Sequence, residues 1–133
     1  MAANTEPSLT HRNDGRLKPG HPLDVRKLEL EPTPVPVSQI ADGAPTTSLL
    51  RLGAFENLMV GVWEMSAGAV HDVEVEEIFV VISGSATVEL HHDGGASLAK
   101  LAPGSLMRLS KGTRTTWTVH ETLRKVYLNQ QLR

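Results

Sequence analysis

From Ser48 onward the chain is a succession of short apolar runs that never lengthen into a helical period. "SLLRLGAF" (48–55), "LMVGVWEMS" (58–66), "VEVEEIFVVIS" (73–83) and "SATVELHH" (85–92) are followed by "SLAKLA" (97–102), "SLMRLS" (105–110), "RTTWTVH" (114–120) and "RKVYLNQQL" (124–132). All are rich in Val, Leu, Ile and Thr, residues that fit a pleated, half-buried surface. "HHDGGAS" (91–97) reads as a hairpin loop around Asp93, Gly94 and Gly95, and "APGS" (102–105) and "SKGT" (110–113) as tight turns. Strands at roughly 8–12-residue spacing predict an all-β chain folded as an antiparallel β-barrel or jelly-roll.

Several of these strands are apolar on both faces. In "IFVVI" (78–82), Phe79 and Val81 share one face while Ile78, Val80 and Ile82 share the other. One face fills the barrel. The other needs cover from a second sheet, from the N-terminal segment or from a second copy, and a homodimer is expected on that ground.

Ahead of the barrel, assigned to 48–133, residues 1–22 read as a flexible polar tail. Residues 23–47 read as an extended, proline-rich segment that packs on the barrel or on a partner. Within it "LDVRKLEL" (23–30) is expected as a short strand and "SQIADGAPTT" (38–47) as a turn. In "EPTPVPV" (31–37) three prolines at alternate positions remove ladder donors and exclude a central strand.

Composition narrows the functional classes. A length of 133 residues suits one domain with a real core. The net charge of -2, with no basic block, argues against a nucleic-acid partner. The absence of cysteine excludes disulfides, zinc knuckles and thiol nucleophiles. No apolar run reaches the roughly 20 residues of a membrane-spanning helix. The first residues lack the basic and apolar regions of a signal peptide, so a cytoplasmic protein without a membrane partner is expected.

The residues that bear chemistry cluster in "HDVEVEEIFVVISG" (71–84) and "GSLMRLSKGTRTTWTVH" (104–120). Glu77, six residues and Gly84 have the spacing of the second half of the first cupin motif. His71 stands where the first histidine of that motif's H-x-H pair belongs, and Val73 replaces the second. Gly104 and Gly112 match the frame of the second motif, with Ser110 in place of its proline and Thr115 in place of its histidine. Together with "GVWEMSAG" (61–68), "WTV" (117–119) and "RKVY" (124–127), residues 61–127 resemble the small single-domain, RmlC-like cupins grouped with the ethanolamine-utilisation cupin and ureidoglycine aminohydrolase.

That resemblance implies a barrel whose interior holds the site, and with two ligand positions replaced it implies either no cofactor or a weakly held divalent metal. On a regular strand His71 and Glu77 share the inward face, about 20 Å apart unless the chain bends. They are the candidate metal ligands, and Glu77 is the candidate catalytic acid or base. A carboxylate inside an apolar strand needs a partner, for which Arg108, Arg114 and Tyr127 are candidates. Trp63, Met107, Thr115, Trp117 and Tyr127 are expected, with His71 and Glu77, to outline a ligand cavity, although any one aromatic taken alone is better read as a core filler. Glu74, Glu76, His91 and His92 read as solvated surface residues. Arg124 and Lys125 alternate faces: one is expected on Glu121 or another surface acid, the other at the barrel mouth.

The function expected is binding of a small polar or anionic metabolite inside the barrel without a complete metal site. The alternative is a metal-dependent enzyme acting on a small carboxylate or ureido-type metabolite, with His71 and Glu77 as ligands or acid/base pair. A barrel filled by Phe79, Met107 and Trp117 would instead favour a purely structural dimer module.

Overall fold

The computed structural model describes residues 16–130, so the first 15 residues of the expected tail and the last three of the chain lie outside the described residues. Nine strands follow in chain order: β1 Thr33–Pro34, β2 Ile40–Asp42, β3 Thr46–Phe55, β4 Leu58–Met65, β5 Gly68–Val73, β6 Glu77–His92, β7 Gly95–Leu101, β8 Leu106–Leu109 and β9 Arg114–Gln130. A single 3₁₀ turn at Val37–Gln39 is the only helical element among the described residues. No described helix is long and apolar enough to cross a membrane.

Every pairing is antiparallel, and β9 is the hub. Its first half pairs with β5 (Val70 opposite Trp117, His71 opposite Thr116) and its second half with β4 (Trp63 opposite Lys125). β6 lies along nearly the whole of β9 on the other side. β7 and β8 extend the two ends of β6, while β3 flanks β4. The sheet curls around one core built from Trp63, Val70, Phe79, Val88, Trp117 and Tyr127 among others. This is the jelly-roll barrel that the strand spacing predicts. Each large apolar side chain so buried contributes about 1.5–3 kcal/mol.

Four runs expected as separate strands form two. Residues 77–92 are one strand through Gly84, and residues 114–130 are another. The glycine does not end a strand. It sits at φ +86°, in the left-handed region, and a Cβ there would lie 2.0 Å from the Thr122 carbonyl oxygen. Where β6 and β9 bend over each other, their register shifts around Ser83 and Ser85, and only glycine tolerates the approach.

The N-terminal segment packs on its own barrel. β1 pairs with β3 (Thr33 opposite Thr47), and β2 pairs with β5 (Ile40 opposite Val70). The prolines sit at an edge, where a missing N–H costs no ladder bond. The strand expected at 23–30 does not form. Arg124 Nη1 donates to the carbonyls of Val25 (2.9 Å), Arg26 (3.3 Å) and Leu28 (2.9 Å), so a guanidinium takes the acceptors a ladder would use. The run expected as a turn at 38–47 instead holds part of the 3₁₀ turn, all of β2 and the start of β3. Along the outer face of β6, residues 22–26 border a cleft of about 750 Å³ with Val80 and Ile82. Ile78 and Leu106 remain 47% and 74% exposed.

Candidate functional site

The barrel interior contains charge. Lys125 and Glu77 side chains are 0% exposed, and Lys125 Nζ donates to Glu77 Oε2 at 2.8 Å. Three rings surround the ammonium, with centroids at 4.1 Å (Phe79), 4.6 Å (Trp117) and 4.8 Å (Trp63). These distances are within cation–π range. Trp63 and Trp117 meet edge to face at 5.5 Å, so the cage walls brace each other. Strand pairing explains the cluster: Lys125 is directly opposite Trp63 on β4 and adjoins Val81 on β6, and Phe79 lies two residues further along the same inward face. Glu77 Oε1 and Trp63 Nε1 are buried with no hydrogen-bond partner among the described residues.

Beside this pair lies a second buried carboxylate. Glu74 Oε2 accepts from Thr115 Oγ1 at 2.6 Å and from Trp117 Nε1 at 2.9 Å. Burial pushes its carboxyl up, while positive charge around it, that of Lys125 included, and then those two hydrogen bonds push it down; the net is a value below the ordinary one.

The structure divides the seven residues expected to outline a cavity. Trp63, Glu77, Thr115, Trp117 and Tyr127 are buried in the interior, and Met107 packs against the core from a partly buried position. Tyr127 occupies the space above Gly61, where a Cβ would lie 2.4 Å from the phenol oxygen. His71 is elsewhere. It is exposed, and its Nδ1 lies 3.0 Å from Thr116 Oγ1. The expectation that His71 and Glu77 face inward together is therefore overturned. Strand β5 ends at Val73, and Glu74 is pinned to the 110–113 turn by Glu74 N to Thr113 O and Gly112 N to Glu74 O, both 2.8 Å. The break resets the alternation, sending His71 out and Glu74 in. Glu74 is accordingly not the solvated residue expected. Glu76 lies half-buried at the surface, with the Lys111 amide at 3.1 Å and Arg108 Nη2 at 2.7 Å holding its carboxyl below the ordinary range.

Two other expectations are corrected. The partner of Glu77 is Lys125 rather than Arg108, Arg114 or Tyr127. Lys125 reaches neither the mouth nor a surface acid. It is Arg124 that pairs outward, with Glu64 Oε2 at 2.9 Å, and Glu121 accepts from Ser85 instead. A signal for Lys125 exists in the sequence: Leu123, Lys125 and Tyr127 alternate on one face, and the flanking residues mark that face as interior. No comparable signal marks Glu74, because "VEVEE" places it opposite Val73 and Val75.

A cleft of about 600 Å³ opens where β5 and β6 end and β7 and β9 begin, lined by Gln39, His71, Val73, His91, His92 and Arg114 among others. His71 Nδ1 and His91 Nε2 approach the same Thr116 hydroxyl, at 3.0 and 2.9 Å. One hydroxyl thus orients two imidazoles from two strands. Arg114 is exposed at the rim, and no acid pairs with it among the described residues. Asp72, also in the lining, turns Oδ1 onto the Val73 amide at 2.8 Å.

Comparisons place this geometry. No curated protein matches the chain. The EutQ protein of Clostridium difficile superposes with a TM-score of 0.59 at 19% identity, over 82% of this chain and 85% of that one. A Pseudomonas syringae pv. tomato protein of unknown function, from the DUF861 family, gives 0.62 at 23% identity, over 77% of this chain and 45% of that one. A cupin superfamily protein of Desulfitobacterium hafniense gives 0.59 at 8% identity, over 86% and 94%. At these identities the likeness concerns the fold. The family model of the EutQ-like cupin domain matches residues 52–127, more than half of the sequence, and the chain belongs to that family.

Proposed function

We propose that this cupin binds a small anionic metabolite, bearing a carboxylate or phosphate group, in the cleft at the strand ends, and does so without a metal in the barrel. The observation that carries the reading is Arg114. Its guanidinium stands at the rim of a cleft of about 600 Å³ beside two imidazoles already oriented by Thr116. A fork of N–H donors that pairs with no acid among the described residues suits an anionic group that can accept two hydrogen bonds. The imidazoles add donors, and Val73 adds an apolar wall.

The metal implied by the fold family does not fit the interior. Among the described residues no group of three or more His, Asp or Glu side chains could hold one. The carboxylate at the motif position, Glu77, already faces an ammonium at 2.8 Å, and His71 points away from it. The exposed stripe of Ile78 and Leu106 supports pairing with a second copy, which light scattering at micromolar concentration would detect.

Calorimetric titration with a panel of small carboxylates and inorganic phosphate tests the reading. Saturable binding to the native chain, lost in Arg114→Met at an unchanged melting temperature, is expected. Failure of every anion to bind the native protein would overturn it, and binding that survives Arg114→Met but not a change at Trp63 would move the ligand into the barrel.

A further inference from the structure

We propose that Lys125 is the barrel's own resident cation: its ammonium fills an aromatic and carboxylate cage that is built to hold a positive charge, and the barrel therefore takes neither a divalent ion nor a cationic ligand while that side chain is present. This is independent of the cleft. Three ring faces within 4.1–4.8 Å of one nitrogen, with a carboxylate at 2.8 Å, form a receptor for an alkylammonium group. Such a cage is poor packing for a neutral chain end, because Glu77 would then be a buried charge with no counter-ion. It is also a poor site for a divalent ion, which wants nitrogen or oxygen ligands on several sides where this cage presents ring faces.

The atoms left over agree with this account. Glu77 spends one oxygen on Lys125 and keeps Oε1 buried without a protein donor. The carboxylate can thus receive a freely placed ammonium through either oxygen, whereas the tethered lysine reaches one. Removing the side chain beyond Cβ deletes three methylenes and the nitrogen, which together are an n-propylammonium ion. Lys125→Ala is the variant whose missing part can be returned as a small molecule.

Two measurements on the full chain decide the matter. First, native protein purified without chelator or affinity tag is equilibrated with zinc or nickel and assayed by elemental mass spectrometry. Metal far below one equivalent is expected; metal lost in His71→Ala but kept in Glu77→Gln would lie at the cleft and leave the proposal standing. Stoichiometric metal lost in Glu77→Gln would overturn the proposal. Second, the melting temperature and tryptophan fluorescence of Lys125→Ala are followed against n-propylammonium chloride, with 1-propanol as the uncharged match. A saturable rise of several degrees with the ammonium, little with the alcohol and none in native protein is the expected result. Equal rescue by 1-propanol would reduce the cage to a cavity. A folded Lys125→Ala that ignores the ammonium, or a chain that stays unfolded at every concentration of it, would overturn the proposal as well.

Discussion

Two charged regions of this molecule draw on the same two strands, β6 and β9, and follow opposite rules. In the barrel, Glu77 and Lys125 are sealed from water and bound to each other, and every ring within reach turns a face to the ammonium. In the cleft, Arg114 is exposed, His71 and His91 share one hydroxyl, and the acid nearest His91 is the half-exposed Glu89 at 4.0 Å. Buried charge must be matched inside the fold, because the chain alone bears the desolvation cost. Exposed charge is matched by water until something better arrives. The first arrangement therefore serves the architecture and the second remains available to a ligand.

The sharpest way to break this contrast is Glu77→Gln. It removes the carboxylate that bonds the buried Lys125 and leaves only the more distant charge of Glu74, and guanidinium unfolding should show a loss of about 3–5 kcal/mol. An unchanged transition would mean that water reaches the pair and that the two regions do not differ in kind. Next comes Gly84→Ala, which tests the bend that brings the inward faces of β6 and β9 together. A Cβ 2.0 Å from the Thr122 oxygen at a left-handed φ should cost about 2–4 kcal/mol by the same assay.

Arg124→Met probes a charge of intermediate kind, half architecture and half surface. Its guanidinium holds Glu64 and three carbonyls of the N-terminal segment. Loss of about 1–3 kcal/mol is expected, together with faster proteolysis within residues 22–31. Proteolysis at the native rate would show that β1 and β2 suffice to hold the segment.

Acid titration sharpens the interior side. The folded-state value of Glu74 lies below the ordinary 4.5, so its charge stabilises the fold fully above that value. The contribution disappears as pH falls through the lower folded value. Melting temperature should therefore decline below about pH 4.5, and Glu74→Gln should flatten part of that decline. A variant that follows the native curve would remove Glu74 from the account. The smallest effect belongs to the cleft. Arg114→Met should change stability by less than about 0.5 kcal/mol while abolishing anion binding. A large loss of stability there would give Arg114 an architectural role and erase the contrast.

Much of the fold was readable residue by residue. The turn residues at 93–95, 102–105 and 110–113 mark where the strands reverse, because glycine and proline chemistry is local. The buried aromatics Trp63 and Trp117 were legible as a set, because both lie in the strands that carry the family resemblance. His71 and Glu74 were not, since a three-residue break between β5 and β6 inverts the faces, and that break is imposed by hydrogen bonds to a turn some forty residues away.

By itself, then, the amino-acid sequence determined the class of fold, the turns at 93–95, 102–105 and 110–113, and the proline-bounded edge. These depend on residue type and near neighbours. Only the tertiary structure decided which carboxylate meets which cation. Lys125 and Glu77 are 48 residues apart, and their pairing exists because β6 and β9 lie side by side in one register. A charge acquires its partner, and with it its role, from the register of distant strands, which no local pattern encodes.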